Sequence, residues 1–266
     1  MKIDISNVVT QHESKPAEIK AAKEKMPVAY LGIGILEWHG LHNPAGLDGV
    51  KADGCGRYLA AKFGGVVVPP LYYGDHRGDI CELVFSPERI GCESDHTIPI
   101  CENIGYDKAE LKKNEARSIK KKGWKLWNDL VVHILFQLES FGFKHVVILP
   151  GHYPLFSPLD TAIKQYKKEG GKCGILIIKD PMYADDGRAG DHAAAFETSL
   201  MLALYPEMVD SYRLQRASRF RFLINMFIGK AADKPEVRTM LVNMVNSDEE
   251  KKKTQSPLFY LKLLLP

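Results

Sequence analysis

Two carboxylates and one imidazole lie close together in the chain between residues 37 and 48. An apolar run from Pro27 ends at Glu37, His39 follows two residues later, and Asp48 lies nine residues beyond that histidine. In an extended backbone alternate side chains point the same way, so Glu37 and His39 are expected to project together. The loop of glycine and proline residues before Asp48 can fold this second carboxylate back toward them. Carboxylates and imidazole together are ligands that a divalent metal of borderline hardness prefers.

Two later segments carry side chains of the same kind. A third apolar run ends in Pro-Gly-His152, and a stretch rich in alanine and leucine carries Glu197 shortly after Asp191 and His192. Side chains that follow strands of a parallel sheet gather at its carboxyl edge, where open α/β sheets bind ligands. The alternative for the first segment is a strand followed by an ordinary polar loop, because most Glu-x-His pairs bind no metal.

Length and composition are typical of one ordinary globular domain. The 266 residues are 45% hydrophobic and 26% charged, and the net charge of +3 gives no argument for nucleic acid. The amino terminus lacks a segment resembling a signal peptide, and no apolar run is long enough to span a bilayer. The five cysteines include no Cys-x-x-Cys pair. We therefore expect a cytoplasmic protein without a disulfide framework.

The order of apolar runs and amphipathic segments predicts a βαβ arrangement. The expected strands are Pro27–Ile35, Val66–Val68, Lys144–Leu149 and Gly174–Ile178. The expected helices are 49–63, a helical region Asp107–Gly142 broken near Gly123, 158–169, and a helix from Ala193 to Pro206. We expect one α/β domain over residues 1–266, with residues 1–26 as a polar N-terminal arm and residues 211–266 as a C-terminal extension whose structure the pattern does not define.

Three sequence pieces together resemble the creatininase (creatinine amidohydrolase) family. They are Glu37-Trp-His-Gly with Asp48 downstream, Leu-Pro-Gly-His152 after a strand, and Asp191-His-Ala followed by Phe-Glu197-Thr-Ser. Each piece alone is a weak signal, but the three occur in that family's order over roughly residues 27 to 210. The resemblance implies a creatininase-like fold, which is a three-layer α/β sandwich around a mostly parallel sheet.

The resemblance also implies a dinuclear centre with two divalent metal ions per chain. Carried over residue by residue, the implied metal ligands are Glu37, His39, Asp48, His152 and Glu197, and Asp48 is the bridging carboxylate. Two histidines beside three carboxylates favour zinc, manganese or iron over magnesium. The expected partners are a small-molecule substrate and further copies of the chain, commonly as a homohexamer, with no nucleic acid and no membrane.

The expected chemistry is attack of a metal-bridging hydroxide on an amide or formamide carbon, with a proton delivered to the leaving nitrogen. The candidate catalytic residues are His192, as the proton shuttle, and Glu197. The alternative for His192 is that it merely caps a helix beginning at Ala193. Asp191 is expected to orient His192, although a helix cap would explain Asp191 equally well.

Tyr153, His42 and Asp191 are the expected substrate-binding residues. Tyr153 could hydrogen-bond the substrate or simply pack, and His42 could line the pocket. Pro154 stands where the creatininases proper carry a glutamate ligand, so Glu197 must complete the second metal position. This departure indicates a substrate other than creatinine.

The leading expectation is a metal-dependent hydrolase that cleaves a C–N bond in a small cyclic amide, ureido or formamide substrate. One alternative is the same two-metal core acting on a sugar-like or lactone substrate. The other is a degenerate family member that binds metal or a small ligand without turnover, which the changes beside His152 motivate.

Overall fold

The computed structural model describes residues 5–74, 100–115, 123–178, 192–193 and 195–210. The strands within these residues are β1 (Val28–Ile33), β2 (Val66–Leu71), β3 (His145–Pro150) and β4 (Gly174–Ile177). The helices are α1 (Pro16–Lys25), α2 (Leu47–Phe63), α3 (Ile100–Ile104), α4 (Lys108–Glu115), α5 (Gly123–Ser140), α6 (Phe156–Lys168) and α7 (Ala195–Leu204). Short 3₁₀ turns cover Tyr153–Leu155 and Pro206–Met208. Asp191 and the expected extension 211–266 lie outside the described residues.

Four parallel strands form one sheet in the order β2-β1-β3-β4. β1 and β3 pair in register from Val28 opposite His145 to Ile33 opposite Pro150, so both strands end at the same level. The segments that follow them, residues 34–48 and 151–152, therefore leave the sheet side by side. This juxtaposition is what brings the first two sequence pieces together.

Helices cover both faces of the sheet. On one face α5 and α6 pack against β1, and the buried side chains there include Ala29, Leu31, Ile33, Val131, Leu135 and Leu159. On the other face α2 packs against the sheet through Ala52 and Ala60, which belong to one buried cluster with Tyr30, Val67 and Leu149. Successive residues of β1 thus point into different apolar layers, as a continuous apolar run predicts for a doubly covered strand. The expected three-layer α/β fold is confirmed.

The N-terminal segment has a docked part and a surface part. Thr10 is buried and bridges to Val67 of β2, with backbone hydrogen bonds from Gln11 N–H to Val67 O and from Val67 N–H to Val9 O. These bonds satisfy backbone groups along the outer edge of β2. α1 has no buried residue, as expected for a polar surface helix.

Several element boundaries differ from the sequence expectation, among them the end of β2 at Leu71 and the start of α6 at Phe156, and three of them bear on the candidate site residues. β1 ends at Ile33 rather than at residue 35, so Glu37 and His39 lie in the loop beyond the strand. α2 begins at residue 47 rather than 49, which places Asp48 in the first helical turn. α7 begins at residue 195 because Ala193 has a φ of 57°, a left-handed conformation that a helix cannot contain. None of the described helices combines the length and apolar character needed to cross a bilayer.

Candidate metal centre

Two glycines allow the start of α2 to approach the ends of β1 and β3. A Cβ atom on Gly34 would lie 2.2 Å from the backbone nitrogen of Gly49, and one on Gly151 would lie 2.0 Å from the carbonyl oxygen of Asp48. Any side chain at either position would push α2 away from the strands. The glycines of the apolar run and of Pro-Gly-His152 therefore determine where Asp48 sits.

Five buried side chains from four segments meet at this edge of the sheet. They are Glu37, His39, Asp48, His152 and Glu197. Asp48 lies between the two histidines, with Oδ1 at 3.2 Å from His39 Nε2 and Oδ2 at 3.3 Å from His152 Nδ1. Glu37 Oε1 is 3.4 Å from His152 Nδ1, and Glu197 Oε2 is 3.8 Å from His39 Nε2. The structure thus brings together all five residues that the sequence indicates.

The donor atoms fall into two groups that share one carboxylate. One group is Glu37, Asp48 and His152, the other is His39, Asp48 and Glu197, and the atoms of each group lie within 4.8 Å of one another. Asp48 directs a different oxygen toward each group, which is the arrangement a bridging carboxylate requires. Within the described part of the chain, Glu37 Oε1, His39 Nε2 and Asp48 Oδ2 are buried and make no hydrogen bond of good geometry. Buried polar atoms of this kind call for a further partner, and divalent cations fit the donor set.

Attraction between the histidines and the carboxylates of the cluster favours the charged forms of His39, Glu37 and Asp48. Burial by itself lowers the pKa of His39, but the carboxylates of Asp48, Glu197 and Glu37 outweigh burial and raise the pKa of His39 to about 9. Burial by itself raises the pKa of Glu37 and of Asp48, yet the neighbouring histidines bring the pKa of both carboxyl groups below its ordinary value. The three carboxylates therefore favour positive charge at this position, whether as protons on imidazole or as bound cations.

His192 presents one ring nitrogen to the cluster. Its Nε2 lies 2.6 Å from the carbonyl oxygen of Trp38, and since a carbonyl oxygen only accepts, Nε2 carries the proton. Its Nδ1 lies 3.2 Å from Glu37 Oε1, and its ring centroid is 4.5 Å from that of His39. His192 also forms a third potential ligand group with Glu37 and His39. The side chain thus faces the cluster and does not cap α7, which begins three residues later.

The three expected substrate-binding residues have different positions. His42 is buried behind the cluster, where its Nε2 lies 3.1 Å from the hydroxyl oxygen of Thr198. Tyr153 is 62% exposed, and its ring packs edge-on against Phe156 with the centroids 5.9 Å apart. Neither residue lines the cavity beside the cluster. Asp191 lies outside the described residues.

A small cavity opens directly over Glu37 and His39. Its volume is about 190 Å³, and its walls include Trp38, Asn43 and Asn103. The carboxamide of Asn43 is held in place because its Nδ2 donates to Thr198 Oγ1 at 2.9 Å. Sequence reasoning missed both asparagines, since neither belongs to a motif that carries chemistry by itself.

Lys51 is a further member of the cluster that sequence reasoning missed. Its Nζ donates to Glu197 Oε1 at 2.6 Å and lies 3.8 Å from Asp48 Oδ1. The available signal was its position three residues after Asp48 in the same helix, because residues at this spacing share a helix face. The other oxygen of Glu197, Oε2, accepts a hydrogen bond from the backbone N–H of Ala193 at 2.8 Å.

Comparison with known proteins identifies the family. The family model for creatininase, described as creatinine amidohydrolase, matches residues 12–85 and 123–248. The chain belongs to the creatininase family. It is 26% identical over 205 residues to the creatinine amidohydrolase of Pseudomonas putida, which covers 70% of this chain and 68% of that protein. The family resemblance of the three sequence pieces is thereby confirmed.

Solved structures of creatininases share the fold. A structure described as "Creatininase Mn" superposes with a TM-score of 0.51 at 22% identity, covering 77% of this chain and 76% of that one. A mutant creatininase described as "Zn-Zn type" gives a TM-score of 0.51 at 23% identity, covering 78% and 77% of the two chains. Both comparisons agree with the three-layer α/β architecture built around the parallel sheet.

Proposed function

We propose that this chain is a metal-dependent hydrolase that cleaves a non-peptide C–N bond in a small cyclic amide, ureido or formamide substrate. The observation that carries the proposal is the position of Asp48, which directs one oxygen toward each of two buried donor groups. Membership of the creatininase family supports the proposed hydrolase, and the manganese and zinc forms of solved creatininases support its dependence on metal.

The two donor groups would hold two divalent ions. Glu37, Asp48 and His152 would bind one ion, and His39, Asp48 and Glu197 would bind the other. Mixed carboxylate and imidazole donors suit zinc, manganese or iron, and three carboxylates offset most of the charge of two such ions. Bound at these residues, two such ions would lower the pKa of a water molecule and polarise a carbonyl oxygen.

His192 is the group we assign to proton transfer. With Nε2–H donating to the Trp38 carbonyl, Nδ1 is directed at the cluster and can accept or release a proton there. Glu197 is less suited to that role because Lys51 and the Ala193 N–H fix the orientation of its carboxylate, which suits a metal ligand better than a group that moves a proton. We therefore assign Glu197 to holding metal and His192 to delivering the proton to the leaving nitrogen.

The cavity supports a small substrate. Its volume of about 190 Å³ lies below the roughly 300–1,000 Å³ of pockets that take drug-sized ligands. Trp38 supplies an apolar wall, and the carboxamides of Asn43 and Asn103 can exchange hydrogen bonds with an amide or ureido group.

Hydrolysis by metal-loaded protein tests the proposal against its alternatives. We expect turnover of at least one cyclic amide, ureido or formamide compound. The His192→Gln variant should keep two ions per chain and lose about 10²–10⁴-fold in kcat, since general acid–base groups contribute that much. His133→Gln, at an exposed histidine of α5, is the matched control and should behave as wild type.

The other outcomes identify the alternatives. Hydrolysis of lactones alone would favour the sugar-like or lactone reading. Two bound ions without hydrolysis of any compound would favour a degenerate binding protein. Loss of bound metal in His192→Gln would indicate that His192 is a metal ligand and would overturn its assignment to proton transfer.

Assembly and location are proposals that follow from the family. We expect a homo-oligomer, with a hexamer as the first candidate, acting in the cytoplasm on a small molecule without a nucleic-acid or membrane partner. Light scattering of the metal-loaded protein measures the assembly, and a monomeric mass would contradict it.

A further inference from the structure

Lys51 is a fully buried cation beside the candidate metal centre. Only 1% of the residue is exposed, and its Nζ contacts carboxylates of both Glu197 and Asp48. We propose that Lys51 is a positioning residue, which fixes Glu197 as a ligand through a single oxygen and thereby sets the affinity of the second metal position. The inference rests on the metal centre proposed above.

The two oxygens of Glu197 have different surroundings. Oε1 accepts from Lys51 Nζ at 2.6 Å, whereas Oε2 faces His39 Nε2 at 3.8 Å and accepts from the Ala193 N–H. An ammonium group has three donors and no acceptor, so Lys51 engages Oε1 without being a metal ligand itself. This division directs Oε2, and not Oε1, toward the group that contains His39 and Asp48.

The geometry of two helices makes this contact possible. Lys51 lies one turn after Asp48 in α2, and Glu197 lies in the first turn of α7. Leu47 of α2 is buried in the same apolar cluster as Met201 and Leu202 of α7. The lysine therefore connects the helix that carries one proposed ligand to the helix that carries another.

A purely stabilising role explains the lysine poorly. Burying an ammonium group carries a large desolvation penalty, and replacing buried ion pairs by apolar residues is often neutral or stabilising. Partners that orient metal ligands have a different effect, because removing one typically lowers metal affinity by about 10–100-fold. Lys51 contacts one oxygen of Glu197, which is the contact expected of a residue that orients a metal ligand.

Metal titration of chelator-treated full-length protein separates the two roles. Zn²⁺ is added to wild type, Lys51→Met and Lys51→Arg while calorimetry follows the first and second ions separately. We expect Lys51→Met to bind the first ion as wild type does and the second about 10–100-fold more weakly. Lys51→Arg keeps the charge and the donors and should recover most of that loss.

A matched control removes another cation from the same helix. Arg57 pairs with Asp53 at 2.7 Å, so Arg57→Met breaks an ion pair of α2 and should leave both affinities unchanged. Should Lys51→Met not fold, Lys51→Gln provides the same comparison with the same expected direction.

The outcomes distinguish this inference from the proposed function. If wild type binds two ions and Lys51→Met binds the second ion as tightly or more tightly, the proposed role of Lys51 is overturned. The proposed metal centre remains intact in that case. An equal weakening of both ions would also overturn the role of Lys51, because the effect would then be general. No binding by wild type would overturn the metal centre itself.

Discussion

A single methyl group at Gly151 should dismantle the metal centre without touching a proposed ligand side chain. The residue precedes His152, and its Cα faces the backbone of Asp48 at the start of α2. Gly151→Ala adds only a Cβ atom. We expect this variant to lose bound metal while it keeps the parallel sheet, because the clash is with α2 and not with β3 or its neighbouring strands.

The structure gives the size of the displacement. The new Cβ would lie 2.0 Å from the carbonyl oxygen of Asp48, whereas close carbon–oxygen contacts in proteins are about 3.3 Å. The backbone of Asp48 would therefore have to move by about 1.3 Å. Metal–ligand distances vary by only about 0.2 Å, so after this displacement Asp48 could not act as the proposed bridging ligand. Overpacking of this kind costs about 1–3 kcal/mol in free energy of unfolding.

Elemental analysis and thermal unfolding of purified Gly151→Ala test this reasoning. Gly46→Ala is the matched control, because it also adds a methyl group near Asp48 but its closest neighbour, Leu36 Cδ2, lies 3.5 Å away and its φ of −92° suits alanine. We expect the metal content of Gly151→Ala to fall below one ion per chain while that of Gly46→Ala matches wild type. Wild-type metal content in Gly151→Ala would refute the claim that Gly151 determines the position of Asp48.

Three further predictions follow from the buried polar groups. Asp48→Asn keeps the shape of the bridge but removes its charge, so elemental analysis should find less than one ion per chain. In chelator-treated protein the raised pKa of His39 means that the folded state binds a proton more tightly than the unfolded chain. The stabilisation from this proton is complete below about pH 6.5 and is lost as the pH rises toward about 9. Urea titrations should therefore give a lower free energy of unfolding at about pH 9.5 than at about pH 6. The change between these two pH values should be smaller in His39→Gln. The buried Tyr166 hydroxyl donates to Glu139 and accepts from the Cys173 N–H, so Tyr166→Phe should lower the free energy of unfolding by about 1–3 kcal/mol in urea titrations and leave metal content unchanged.

The sheet and the convergence of Glu37, His39 and His152 could be predicted from local signals, whereas Glu197 was assigned through the resemblance to the family. Continuous apolar runs mark strands covered on both faces, and β1 and β3 were located to within two residues at each end. Glu37, His39 and His152 follow those runs, so parallel pairing alone is enough to bring them together. The glycine beside His152 was visible in the sequence as well, although its contact with Asp48 was not.

The remaining features depend on contacts between distant segments. A lysine in a helix is normally solvated, and Lys51 becomes a buried partner only because α7 places Glu197 beside it, 146 positions later in the chain. The hydrogen bonds from His42 and Asn43 to Thr198 span similar separations. The left-handed conformation of Ala193 could not be predicted either, since alanine rarely adopts it. Tertiary packing determines these features, and no local pattern encodes them.

The metal content of the purified protein is a direct test of the two donor groups that share Asp48. The protein is purified without chelator, and zinc, manganese and iron are measured against protein concentration by elemental analysis. Two donor groups that share Asp48 predict close to two ions per chain. A content near zero that added zinc, manganese or iron does not restore would contradict the metal centre and the proposed hydrolase together.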